Sequence, residues 1–276
     1  MNVHENQNAM RIFWYADGVL VYQGPIRDNR LHAHNAIQIV FAPKETVRLQ
    51  VESESVQTGG AILLSGVKHR LEAADEHTVL ILIDAEHNLA DHLQAHFRAT
   101  TQPKAAVARN TLAISPGIIN ELYTRHAWDA ESNTSKLNDC QSAYKLITDL
   151  VRAICSTDHS RKSRDARIIG LMRRLSDEAP DPVKAFDLAH ELGLSESRFL
   201  HLFKQSAGIP LRRFMLWQRL LRAVHCVLQG ESLTFAAHSA GFADQAHFTR
   251  TFVDMFGLAP SEIFGRSRFV QAHICS

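Results

Sequence analysis

The chain has 276 residues, 45% of them hydrophobic, and its 30 Lys and Arg are nearly balanced by 29 Asp and Glu. This length and apolar content are enough for a sizeable core and two domains, which excludes a disordered chain. No run approaches the ~20 apolar residues of a membrane span, and the opening MNVHENQNAM lacks the basic-then-apolar order of a secretory leader, so a cytoplasmic protein without a membrane partner is expected.

In chain order, the first hundred residues carry short apolar runs at 36–41, 47–51, 61–64 and 79–83, separated by Pro, Gly, Asn and charged residues. That rhythm predicts a small antiparallel barrel or sandwich. His32 and His34 stand two apart and share a face if their strand is unbroken, and Gln38 then joins them. A second element, Gly60-Ala-Ile-Leu-Leu-Ser-Gly66-Val-Lys-His69, adds another histidine. Together with His-x-His it resembles the second motif and histidine pattern of cupins, with Ser65 where proline is common. The resemblance implies a cupin-like sensor domain at 1–105, with His32, His34, Gln38 and His69 assigned to a small-molecule effector and no metal or cofactor expected. Two alternatives stay open: core histidines with a structural role, and a divalent ion, against which Gln38 stands where a glutamate ligand is ordinary.

From about Leu89 the apolar residues fall at three- and four-residue steps, near 89–97, 115–125 and 137–154, as amphipathic helices require. The segment 106–163 is therefore read as helical, either packed on the barrel or pairing two copies through exposed Leu122, Leu146, Leu150 and Ile154. The polar run Ser156–Asp165 suits an interdomain linker or an ordinary surface loop. Cys140, Cys155, Cys226 and Cys275 show no C-x-x-C spacing and are read as plain thiols.

Beyond Asp165 the pattern is helical throughout, and the sequence repeats itself. Asp187-Leu-Ala-His-Glu-Leu-Gly-Leu194 aligns with Phe235-Ala-Ala-His-Ser-Ala-Gly-Phe242, and Phe199, Phe203 and Gly208 align with Phe248, Phe252 and Gly257. A proline follows each unit, at Pro210 and Pro260. Small Ala189 and Ala237 permit close helix approach, and Gly193 and Gly241 permit the sharp turn that ends a first helix. Ser195 and Asp244 suit the N-cap of the second helix, and the paired phenylalanines anchor one face of it. The opposite faces present Ser197, Arg198, His201 and Lys204 in the first unit, and Gln245, Ala246, His247, Thr249 and Arg250 in the second. The side chains there that can hydrogen-bond are of kinds that read base edges or hold phosphates; the alternative is a solvated surface. From Ser197 to Arg222 there are six Lys and Arg and no acid. Between the units a helix opened by Pro210 spans about 27 Å at 1.5 Å per residue, a spacer suited to recognition helices in successive major grooves.

The run from Arg219 to Pro260, with ArgLeuLeuArgAla, AlaGlyPheAlaAspGlnAlaHisPheThrArgThrPhe and PheGlyLeuAlaPro, resembles the AraC/XylS signature, and LeuGlyLeuSerGluSerArgPheLeuHisLeuPheLys resembles that family's first helix-turn-helix. The resemblance implies an α+β protein: a small cupin-like barrel with flanking helices, then an all-α domain at 164–276 of two helix-turn-helix units joined by a linker helix. It implies a non-enzymatic transcription regulator with promoter DNA, RNA polymerase and a second copy of itself as partners. Contact with DNA is carried to Ser197, Arg198, His201, Lys204, Gln245, His247, Thr249 and Arg250. Ala246 and Val253 cannot hydrogen-bond through their side chains, so the second unit is expected to read less sequence. The runner-up function is a metal-dependent cupin enzyme with an accessory DNA-binding tail, weakened by the lack of a general base beside the histidines.

Overall fold

The computed structural model describes residues 10–15, 17–42, 46–72, 77–85, 87–99, 106–108, 110–129, 134–155, 165–178, 183–264 and 270–275. The linker expected at 156–165 lies outside the described residues except for Asp165. Two compact units emerge, Met1–Arg161 with Met255–Ser276, and Lys162–Asp254.

The first unit is built on strands β1 (Met10–Tyr15), β2 (Val19–Gln23), β3 (Ala36–Phe41), β4 (Val47–Val51), β5 (Glu54–Thr58), β6 (Gly60–Leu63), β7 (His69–Leu71), β8 (Val79–Asp84), β9 (Ala106–Ala108), β10 (Thr111–Ala113) and β13 (Val270–Cys275). An eight-stranded sheet has the order β13-β1-β2-β8-β3-β6-β10-β9, and a separate three-stranded sheet has the order β5-β4-β7. The barrel-like front is thus made of two sheets that share no strand among the described residues. A short hairpin pairs β11 (Trp128–Asp129) with β12 (Thr134–Ser135).

Central β3, AIQIVF, is buried along its whole length because both faces of the large sheet are covered. Its odd residues Ile37, Ile39 and Phe41 enter one core with Val21, Ile81 and Ile83, against helices α1 (Asn88–Ala99), α2 (Pro116–Leu122) and α3 (Cys140–Ile154). Its even residue Val40 enters a second core with Leu49, Val51, Val56 and Leu71, contributed by the small sheet. Gln38 shares the Val40 face by strand alternation, and so points toward the small sheet.

Two expectations are corrected here. Leu122, Leu146 and Leu150 are buried in the first core and Ile154 packs against it, so these residues hold helices onto the sheet and do not form an exposed pairing face. Cys140 and Cys275 are not plain thiols: they form a disulfide across 135 residues of sequence. Spacing gave no hint, because the neighbours meet only when β13 pairs in parallel with β1, Cys275 opposite Tyr15.

The second unit is helical: α4 (Ala166–Glu178), α5 (Ala185–Glu191), α6 (Glu196–Ala207), α7 (Leu211–Leu228), α8 (Leu233–Ser239) and most of α9 (Gln245–Phe256). Helix α10 (Pro260–Phe264) follows within the first unit. Ile168, Leu171, Met172 and Leu175 of α4 pack on Phe199 and Phe203 of α6 and on Phe214 of α7. Pro210 is the N-cap of α7, one position ahead of the first helical residue where it was expected.

Candidate functional site

The sequence repeat is also a structural repeat. Helices α5 and α8 each span seven residues, and α6 and α9 each span twelve. The turns close with the same bonds. Gly193 N–H donates to the His190 carbonyl at 3.0 Å and Leu194 N–H to Ala189 at 2.9 Å, while Gly241 donates to His238 at 3.0 Å and Phe242 to Ala237 at 2.9 Å. Both glycines are left-handed, with φ of 65° and 82°, a conformation that side chains disfavour. The caps are as expected: Ser195 Oγ accepts from Arg198 N–H at 3.4 Å, and Asp244 Oδ1 from His247 N–H at 2.6 Å. Edge-on ring pairs, Phe199–Phe203 and Phe248–Phe252, both with centroids 5.8 Å apart, fix the buried faces.

With those faces anchored, Ser197, Arg198, His201 and Lys204 of α6 and Gln245 and Arg250 of α9 are exposed. His247 and Thr249 are half-buried, and the His247 ring packs edge-on to Phe242 at 5.2 Å. Gln245 Oε1 accepts from Thr234 Oγ1 at 2.6 Å, which ties the start of α9 to α8 and fixes the direction of its carboxamide.

The other constellation lies in the first unit. His32, His34, Gln38 and His69 are buried together. The histidine segment is not the unbroken strand expected: His32 makes a lone bridge to His69, each N–H donating to the other's carbonyl at 2.9 Å, and β3 starts only at Ala36. The rings still converge, with centroid separations of 4.3 Å for His32–His69, 5.2 Å for His34–His69 and 5.7 Å for His32–His34. Each Nδ1 sits on a backbone carbonyl two residues away: His32 on Arg30 at 2.8 Å, His34 on Ala36 at 3.0 Å and His69 on Val67 at 3.0 Å. A carbonyl only accepts, so in each ring Nδ1 carries the proton of that bond and Nε2 of the neutral ring is left with a lone pair. Burial pushes His32 below its ordinary value. His69 is pushed well below its own, by burial first and then by His32 and His34.

The Nε2 atoms of His34 and His69 lie 3.2 and 3.3 Å from Gln38 Oε1, so three acceptors face one another, while Gln38 Nε2 is buried without a hydrogen-bond partner. Something electropositive belongs among them. Turning the carboxamide over supplies two N–H donors; a ligand's donor groups or a divalent cation supply the same. His32, His34 and His69 are the residues that could hold such an ion, their ligand atoms lying within 4.8 Å of one another.

The same cluster is bordered by Phe256 and Gly257, which follow the exposed part of α9. The Phe256 ring centroid is 6.3 Å from that of His34, and Gly257 accepts from Arg30 N–H at 2.9 Å. Sequence reasoning missed this border. Its signal was Gly257 itself, since a Cβ there would lie 2.8 Å from His32 Nδ1. A cavity of about 180 Å³ lined by Ile62, His96, Leu112, Ile114, Ser115 and Ile154 was also not foreseen.

Residues 188–266 match a family model described as a helix-turn-helix domain. Among curated proteins, the Msm operon regulatory protein of Streptococcus mutans is 25% identical over 123 residues, 43% of this chain and 44% of that protein. The HTH-type transcriptional activator RhaS of Escherichia fergusonii is 33% identical over 103 residues, 37% of each chain. The match therefore spans less than half the length of either relative. Among solved structures, apo ToxT of Vibrio cholerae superposes with a TM-score of 0.55 at 14% identity, over 90% of this chain and 96% of that one. A ToxT structure described as bound to an unsaturated fatty acid gives 0.53 at 15%, over 89% and 94%. At such identities the likeness is one of fold. Residues 188–266 are thus a helix-turn-helix domain, and the α+β fold is shared with ToxT.

Proposed function

We propose that this chain, which carries an AraC-type helix-turn-helix domain, is a sequence-specific DNA-binding transcription regulator and not an enzyme. The observation that carries the reading is the duplicated unit with matching turns, caps and anchored phenylalanines, whose outward faces expose Arg198, His201, Lys204 and Arg250. Ser197, Arg198, His201 and Lys204 contact one major groove, and Gln245, His247, Thr249 and Arg250 the next. Residues 1–105 form the sensor and 106–163 the segment that pairs two copies, by a surface other than Leu122, Leu146 and Leu150. The double helix-turn-helix domain, expected over 164–276, meets promoter DNA and RNA polymerase in the cytoplasm with its helical part, because β13 (Val270–Cys275) is not helical but pairs with β1 in the sheet of the first unit. No described helix is long and apolar enough to cross a membrane.

The effector binds at His32, His34, Gln38 and His69, and its donor groups meet the lone pairs that face one another there. It needs only to bind one state of the protein better than the other. Selection from a random duplex pool identifies the operator, and Arg250→Ala then weakens binding by roughly 1–3 kcal/mol. Unchanged affinity in that variant overturns the role of α9.

A second occupant is favoured by one observation, the convergence of three buried histidines whose ligand atoms lie within 4.8 Å of one another: a divalent ion held by His32, His34 and His69. Zinc titration of the full-length protein and of His69→Ala separates the two. Tight, His69-dependent zinc uptake selects the ion, and its absence leaves the organic effector.

A further inference from the structure

The disulfide is the one covalent link in the described residues that the reading above does not use. Its place is specific. Cys140 is the first residue of α3, behind an Asp139 cap whose side chain accepts from Ser142 N–H. Cys275 ends β13, an edge strand of the large sheet that among the described residues pairs with β1 alone. Tyr15, opposite Cys275 on β1, donates its hydroxyl to the Cys140 carbonyl, so strand, strand and helix meet at this bond.

Connectivity gives the bond its consequence. The whole helical unit, Lys162–Asp254, lies between Cys140 and Cys275 in the chain. Helix α3 is the last described element before that unit, and β13 the last after it. Oxidised, the chain is a covalent ring through the helical unit; reduced, β13 stays on β1 by non-covalent contacts only, the strand pairing and packing such as the Phe13–His273 ring stack at 4.8 Å. The end of α9 lies inside this ring, and Phe256 and Gly257 reach the first unit by contacts of their own beside His34 and Arg30.

We infer that Cys140 and Cys275 form a reversible oxidation site that clasps the segment after α9 to the sensor sheet and thereby weakens DNA binding. The inference rests on the regulator reading. The oxidant is a low-molecular-weight disulfide of the glutathione class. Cys140 is half-buried and Cys275 buried, so Cys140 is the sulfur an external reagent reaches, and a helix N-terminus favours its thiolate. The Cys140 thiolate attacks the small disulfide and displaces one thiol. The Cys275 thiolate then attacks Cys140 in that mixed disulfide and displaces the second. Two electrons and two protons pass from the protein to the small molecule, which leaves as two thiols. Cys155 is no competitor, since burial raises its thiol to about 11.

The test uses the full-length protein equilibrated in reduced and oxidised glutathione, with three readouts: thiol alkylation by mass, amide hydrogen exchange over 270–275, and affinity for the selected duplex. Reduction is expected to free both thiols, speed exchange across β13 and tighten duplex binding about tenfold, within the usual range of coupling between sites. A Cys140→Ser, Cys275→Ser variant should behave as the reduced protein in both buffers, and Cys226→Ser as wild type. No disulfide in oxidised glutathione overturns the inference. A disulfide that changes neither exchange nor affinity also overturns it and leaves a structural staple. If no duplex binds in either buffer, the regulator reading fails instead, and with it the claimed effect on DNA, while the mass and exchange data still decide the clasp.

Discussion

Burial decides the protonation of the histidine cluster, and so its pH dependence. His32 and His69 have pKa values lowered from 6.5, mainly by desolvation. The unfolded chain therefore takes up protons first as pH falls, and the stability from these neutral rings is complete above about 6.5 and lost progressively below it. The thermal midpoint is expected to fall between pH 7 and pH 5, and His69→Gln to flatten that slope; an equal slope in the variant would place the titrating groups elsewhere. Gly257 borders the same cluster with φ of +73°, and a Cβ there would lie 2.5 Å from the Arg30 carbonyl oxygen. Gly257→Ala should cost about 1–3 kcal/mol from backbone strain alone, and more for the clash. Gly193, at φ +65° with open space around its Cβ position, should cost only about 1–2 kcal/mol on the same change. Urea unfolding of both variants checks the difference. The four cluster residues were legible from His-x-His and the Gly60–His69 pattern, although the unbroken strand invoked to join Gln38 to them stops short of the histidines at Ala36. The paired cysteines were not, because a contact across 135 residues leaves no local spacing.

Elements were readable where one periodicity ruled and blurred where two surfaces competed. Strand β3 is buried on both sides, so its run of apolar residues gave its existence while Gln38 alone marked the face that looks toward the small sheet and the histidines. Helix α3 read as amphipathic, but periodicity names an apolar stripe without naming what covers it, and here the large sheet covers Leu146 and Leu150. The helix-turn-helix units were the most legible elements because two copies of one local grammar had to agree. Their caps are not equal in strength. Asp244 brings a charge to the first turn of α9 at 2.6 Å, whereas Ser195 holds α6 with a neutral bond at 3.4 Å. Replacement of either by alanine should destabilise by about 1 kcal/mol, with Asp244→Ala the costlier because its carboxylate also meets the helix dipole. Chemical denaturation of each single variant gives the order; a larger loss from Ser195→Ala would mean that packing, not capping, sets these helix starts.

Under the proposed reading as a regulator, the decisive property is the length of α7, whose 18 residues follow one unit and precede the other. A helix of that length spans about 27 Å, somewhat less than the ~34 Å of a DNA turn, and the recognition side chains beyond its ends extend the reach. Because α7 is a rod with Phe214, Trp217, Leu220 and Ala223 buried along it, the separation of the units is not adjustable. The two half-sites of one protomer must then lie at one fixed spacing. Insertion of five base pairs between them turns one half-site to the far side of the duplex and should lower affinity roughly 100-fold, to the level of a single unit, consistent with the 1–3 kcal/mol lost for each ordinary mismatch. Insertion of ten restores the facing but moves the half-site a full turn away, beyond what α7 spans, so affinity should stay low. A flexible tether gives the opposite pattern, with binding recovered at ten. Mobility-shift titrations of the three duplexes at fixed salt therefore separate a rigid double reader from two independently tethered ones, and recovery at ten would remove α7 as the ruler.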